Sequence, residues 1–157
     1  MAWYHRVAGG IAHRVWRITR PRTFGVRAIL LDQADRVALV RHTYTDHWYL
    51  PGGGVKKGES TLAAIRRELR EEIAVEHVRI ANVLGVYHSM REGKDDHVVI
   101  YIAHAVTDGD TPLCPTDMIE IEQARWFALD DLPDSLSPAT RRRIDEYRSG
   151  ASVAERW

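Results

Sequence analysis

The sequence predicts an α+β fold, a mixed β-sheet held between helices as an α/β/α sandwich. At 157 residues the chain has the size of one ordinary domain, able to bury most of its apolar surface in a single core. Stretches of helical and strand periodicity alternate as helix, strands, helix, strands, helix, with no internal repeat and no low-complexity linker, which is the succession expected of a sheet covered by helices. Hydrophobic residues make up 45% and charged residues 28%, a globular mixture rather than a fibrous, disordered or coiled-coil one.

The first element is an amphipathic helix over residues 3–18, where Tyr4, Val7, Ile11, Val15 and Ile18 recur at three- and four-residue spacings until Pro21 stops them. Arg6, Arg14 and Arg17 lie mostly off that stripe. Residues 1–20 are therefore read as a basic helix packed on the domain. A surface-associating helix and a cleavable targeting segment are the competing readings. A signal peptide is disfavoured because arginines interrupt the stretch and deny it a continuous apolar centre.

Residues 21–157 form the domain proper. β-branched and apolar residues dominate 23–31 and 36–42, separated by a turn-rich Asp-Gln-Ala-Asp, and predict a β-hairpin. A short strand at 48–50 runs into Pro51-Gly52-Gly53-Gly54, where three glycines permit backbone angles closed to other residues and suggest a functional loop. Residues 60–73 are rich in helix formers, with Leu62, Ile65, Leu69 and Ile73 on one face. Two long runs, 77–90 and 97–106, predict a second hairpin, and 124–128 a further strand. Ser137 followed by Pro138 is a good start signal for a last helix through Tyr147.

Charge and cysteine content narrow the function classes. The 22 basic and 22 acidic side chains balance, but six arginines and no acid precede Asp32, so the remainder holds 16 basic against 22 acidic groups. An acidic body suits cation binding better than unaided nucleic-acid binding, and no nucleic-acid partner is expected. No apolar run approaches the roughly 18 residues of a membrane span. The only cysteine, Cys114, excludes an internal disulfide and a cysteine-based zinc cluster and fits a reducing, cytoplasmic setting. The oligomeric state is open, a homodimer included.

Glu68, Glu71 and Glu72 concentrate the chemistry. On a helix the second and third lie three and four positions after the first, so three carboxylates converge over neighbouring turns. Like charges so placed cost an isolated helix roughly 0.2–0.5 kcal/mol per pair, and something must offset them. Arg66, Arg67 and Arg70 could do so as surface ion pairs. A hard divalent cation could do so too, since it prefers oxygen ligands and often binds through a few carboxylates plus substrate phosphates. The glycine-rich loop before the helix offers it backbone carbonyls.

The run from Gly53 to Val75 resembles the Nudix box. Gly53, Glu59, Arg67, Glu68, Leu69, Glu71, Glu72 and Val75 stand at the family spacings. One position departs, with Ala74 where the second glycine would be. The flanks, Trp48-Tyr-Leu-Pro-Gly-Gly before the box and Ala124-Arg-Trp-Phe after it, also resemble the family's. The resemblance implies a Nudix-like α/β/α sandwich for residues 21–157, with Mg2+ or Mn2+ as cofactor held by Glu68, Glu71 and Glu72. It gives Gly52 or Gly53 as a carbonyl ligand, and Glu59 and Arg67 as braces of loop and helix. The family often adds an acid from outside the box. Glu120 is the choice, with Glu122 and then Glu92, Asp95 and Asp96 behind it. Because a left-handed alanine costs on the order of 1–2 kcal/mol, the turn after the helix is expected to be shaped differently at Ala74.

The activity implied is hydrolysis of a diphosphate linkage in a nucleotide or nucleoside diphosphate derivative, a small-molecule substrate. Water attacks one phosphorus, two phosphate-bearing fragments leave, and Glu68, Glu72 or Glu120 takes the proton. Tyr44, His47, Tyr87, His88 and Arg91 are the candidate substrate contacts. Residues 82–98 hold no proline where ADP-ribose-cleaving relatives usually carry one, which disfavours that subfamily. A catalytically inactive binding module for RNA or protein is the alternative. It is disfavoured because every box carboxylate is present, and a lipid- or nucleic-acid-anchoring role for the first helix rests on charge asymmetry alone.

Overall fold

The computed structural model describes residues 22–90, 95–106, 112–151 and 154–157. The expected N-terminal helix and the candidates Arg91 and Glu92 lie outside these residues. Seven strands form one mixed sheet: β1 (Arg22–Leu31), β2 (Arg36–His42), β3 (Trp48–Tyr49), β4 (Gly52–Gly54), β5 (Val78–Ser89), β6 (Asp95–Ala105) and β7 (Ile121–Ala128). Helix α1 (Thr61–Ile73) follows β4, and α2 (Pro138–Ser149) follows β7.

The sheet path runs β3-β2-β1-β6-β5, with β4 paired to β1 and β7 to β2. β1 and β6 are parallel over ten residue pairs, while β5 and β6 form the expected antiparallel pair. The first predicted hairpin is different. β1 and β2 pair only at Leu31 and Val37, where Asp32 holds the turn through hydrogen bonds from Ala34 N and Arg36 N. Beyond that corner they diverge. β4 takes the edge of β1 at Gly25–Arg27, and β2 pairs with β7 and β3. Local periodicity identifies a strand but not its neighbour, and here a distant segment won the pairing.

Alternation along the strands sends side chains into two cores. Val26, Ala28, Leu30, Ala38, Val40, Val99 and Tyr101 pack with Ile65, Leu69 and Ile73 of α1. Ile29, Leu31, Val37, Leu39, Val98, Ile100 and Ile102 face the other way, with Tyr87, Leu136 and Ile144. The last helix begins as the sequence predicts, with Ser137 accepting a hydrogen bond from Thr140 N and Pro138 opening it, and α1 is capped by Ser60, which accepts from Ala63 N. In α1 the buried face is Ala64, Ile65, Leu69, Glu72 and Ile73. Leu62 is off it and 38% exposed, because the stripe advances in four-residue steps from Ile65.

The expectation for Ala74 is overturned. Its backbone sits at φ 58, ψ 28, the left-handed conformation a glycine would supply. The helix end is closed there by Ala74 N donating to Arg70 O and Val75 N to Leu69 O. Val75 is thereby buried against the α1 core, and burial outweighs the local strain.

Candidate active site

The Pro51-Gly54 segment and α1 meet face to face. Gly52, at φ 140, lies so close to β1 that a β-carbon would stand 2.1 Å from Val26 O. That approach aims Gly52 N at the helix, where it donates to Glu72 Oε2 at 2.8 Å. A β-carbon on Gly53 would stand 2.6–2.7 Å from the carboxylate of Glu68. Absence of a side chain at Gly53 is thus what makes room for that carboxylate.

Arg67 organises the remaining charges. Its guanidinium grips Glu59 with two bonds of 2.8 and 2.9 Å, and it donates to Glu68 at 2.6 Å, Glu71 at 3.0 Å and Gly54 O at 3.0 Å. Glu59 also accepts from Lys56 N. These contacts, Arg67 foremost, hold the Glu59 carboxyl down at about 2, and Glu59 in turn raises the guanidinium pKa. The fork ties the loop to the helix. Arg67 is the ion-pair partner of Glu68 and Glu71, whereas Glu72 has none among the described residues.

Glu72 differs from its neighbours in environment. It is only 9% exposed, and burial pushes its carboxyl up to about 7 against the lowering effect of Arg27 and the Gly52 N–H, with Glu68 and Glu120 raising it further. Glu120 stands across a cleft of about 360 Å³ that Glu68, Glu71 and Glu72 also line. Its carboxylate has no hydrogen-bond or ion-pair partner among the described residues. Glu122 points elsewhere and pairs with Arg41 at 3.0 Å. Such a set of oxygen donors, one of them buried without a direct ion-pair partner among the described residues, fits a hard divalent cation.

The substrate candidates separate. Tyr44 borders the same cleft, 75% exposed and stacked on His42 at 5.1 Å. His47 lines a different depression with Ser137, Pro138 and Trp157. Tyr87 is fully buried on the α2 side, donating to Glu146 with Arg143 over its ring, and so packs the second core instead of meeting a ligand in the cleft. His88 pairs with Asp95, and Asp96 accepts from Thr23.

A model of the NUDIX domain matches residues 21–147. The chain belongs to the NUDIX family. A Bacillus subtilis (strain 168) protein named as a candidate 8-oxo-dGTP diphosphatase is 29% identical over 82% of this chain and 82% of its own length. The NAD-capped RNA hydrolase NudC of Pseudomonas syringae pv. tomato (strain ATCC BAA-871 / DC3000) is 34% identical over 87% of this chain, which spans 46% of that longer protein. Among solved structures, the MutT NUDIX hydrolase from Burkholderia pseudomallei superposes with a TM-score of 0.63 at 28% identity, covering 80% of this chain and 97% of the other. The chain is a Nudix-type pyrophosphohydrolase, and hydrolases of this family generally use a divalent metal.

Sequence reasoning missed Arg27 and His42. Arg27 reaches into the cleft from the central strand and donates to Gly52 O and, at 3.4 Å, to Leu50 O. Its signal was available: an arginine inside the apolar run from Val26 to Leu31 needs buried acceptors. His42 is 5% exposed, and its pKa is lowered by burial and then by Arg27, against a raising effect of Glu120. No local pattern distinguishes it from an ordinary strand histidine.

Proposed function

We propose that this Nudix hydrolase cleaves the diphosphate linkage of a nucleotide or nucleoside diphosphate derivative, with Mg2+ or Mn2+ held by Glu68, Glu71 and Glu72. The observation that carries the proposal is the convergence of those three carboxylates and Glu120 on one cleft floored by Gly52–Gly54. When bound, the cation neutralises diphosphate charge and acidifies water. Glu72, the least solvated acid, gains most from a countercharge.

Glu120 is the proton acceptor in this scheme, because its carboxylate is free of the contacts that occupy Glu68, Glu71 and Glu72. Water oxygen bonds to one phosphorus, the bridging P–O bond breaks, and two phosphate-bearing fragments leave. Arg27 presents its guanidinium to a substrate phosphate oxygen beside Gly52, and Tyr44 offers an exposed ring to the rest of the substrate. Among the described residues no helix is long and apolar enough to cross a membrane, and the free Cys114 supports a cytoplasmic assignment.

A panel of nucleoside triphosphates, dinucleotides, nucleoside diphosphate sugars and a 5′-capped RNA, each incubated with Mg2+ or Mn2+ and followed by product identification, tests the proposal. The capped RNA belongs there because its end presents the same linkage, and the NudC relative is named for such an end. Cation-dependent release of two phosphate-bearing products from at least one small nucleotide is expected. Binding to RNA or protein with no turnover of any compound would instead favour the inactive-module alternative.

A further inference from the structure

A second group of metal-type ligands lies on the far half of the sheet, on residues that the carboxylate cleft does not use. His88 on β5 and His97 on β6 are directly opposed in the antiparallel register. Asp95 precedes His97 by two positions on β6, so strand alternation puts it on the same face. One ligand atom from each of the three lies within 4.8 Å of the others, and His88 Nε2 and Asp95 Oδ1 are 2.8 Å apart.

We propose that His88, Asp95 and His97 form a binding site for a borderline divalent ion of the Zn2+ class, separate from the carboxylate cleft. Two imidazoles and one carboxylate suit zinc, cobalt or nickel, whereas Mg2+ prefers oxygen donors alone. Bonds of roughly 2.0–2.2 Å to a tetrahedral ion set the ligand atoms about 3.3 Å apart, so the His88–Asp95 pair opens slightly and any wider separation closes, which rotation of partly exposed side chains accomplishes. Their backbones are pre-positioned. His88 is held by β6 on one edge and on the other by His88 N donating to Glu155 O and Trp157 N to His88 O. The His97 ring stacks on Phe24 with centroids 5.6 Å apart, and its Nδ1 is buried without a hydrogen-bond partner. The competing cation, Arg22, sits 3.5 Å from the other oxygen of Asp95 with a 78% exposed side chain, a weak competitor. Three protein ligands leave coordination positions for water.

The test titrates the whole chain with Co2+ in a large excess of Mg2+, the competitor for the carboxylate cleft. Expected is one equivalent of bound Co2+ with imidazole-type visible absorption. His97→Ala and Asp95→Asn should weaken that binding by at least the roughly 10–100-fold that loss of an outer-shell partner costs, and Glu72→Gln should leave it intact. Absence of the Mg2+-resistant equivalent, or its survival in both site variants, would overturn the proposal. Loss of it in Glu72→Gln would do the same by assigning the ion to the cleft. NMR of the wild-type imidazoles during Zn2+ titration needs no variant: His88 and His97 must shift together with saturation at one equivalent, and unmoved resonances refute the site.

Discussion

Glu72 is the residue at which stability and function pull apart. Its carboxyl titrates near 7 in the folded, cation-free chain against an ordinary value of 4.5. A raised folded pKa means that this group burdens the fold least below pH 4.5 and increasingly as pH rises through about 7, where the buried charge costs on the order of 3 kcal/mol. Glu72→Gln keeps an acceptor for Gly52 N–H and removes the charge. Thermal unfolding in chelator should therefore show the variant more stable than the parent at pH 8 and nearly equal at pH 4. Turnover should fall by more than the roughly 10–100-fold that loss of an outer-shell metal partner costs, and full Mg2+-dependent activity in the variant would sink its assignment as an essential carboxylate. Gly53→Ala tests the neighbouring acid. The added carbon must displace the Glu68 carboxylate, and a misplacement of about 1 Å costs on the order of 10²-fold in rate. Arg27→Ala should raise KM for the diphosphate substrate about 10–100-fold, the worth of a hydrogen bond to a charged group. An unchanged KM removes Arg27 from the phosphate site.

Helix α1 shows how an element reconciles conflicting demands. Its outer side carries acids whose mutual repulsion Arg67 offsets while tying Glu59 and Gly54 to the helix. Its inner side inserts Ile65, Leu69 and Ile73 between α1 and the sheet. Its end is strained, because Ala74 occupies a left-handed conformation. Ala74→Gly should consequently raise the free energy of unfolding by about 1 kcal/mol, the steric relief slightly reduced by the freer unfolded chain. Urea denaturation measures it, and a destabilised variant would contradict the strain. The box spacing and the bracing pair were legible in the sequence because both lie within one helix and its preceding loop. The exposure of Leu62 and the conformation of Ala74 were not, since both depend on what α1 packs against.

For the molecule as a whole, the sheet divides two cores and puts the carboxylate cleft on the α1 side, while Tyr87, Arg143 and Glu146 knit the α2 side. Ligand binding at the cleft is linked to global unfolding. Mg2+ at about 100 times its dissociation constant should stabilise the fold by about 2.7 kcal/mol, a rise in melting temperature that Glu72→Gln abolishes. Chelation should remove both the stabilisation and the activity. A melting temperature indifferent to Mg2+ and Mn2+ would deny the cleft a cation.

The sequence by itself determined six of the seven strands and both helices of the described residues, the family, the reaction class and the placing of three box glutamates on one helix, because each is carried by periodicity or spacing over a short stretch of chain. Tertiary structure alone decided that β1 leaves β2 for β6 and β4, and that Glu122 turns to Arg41 while Glu120 lines the cleft. It decided too that Arg27 reaches Gly52 O from the central strand, and that Tyr87 is core while His88 meets Asp95 and His97. The physical reason is the same in every case. Strand pairing joins residues far apart in the chain, and a side chain's partner across a sheet follows from register, which no local pattern encodes.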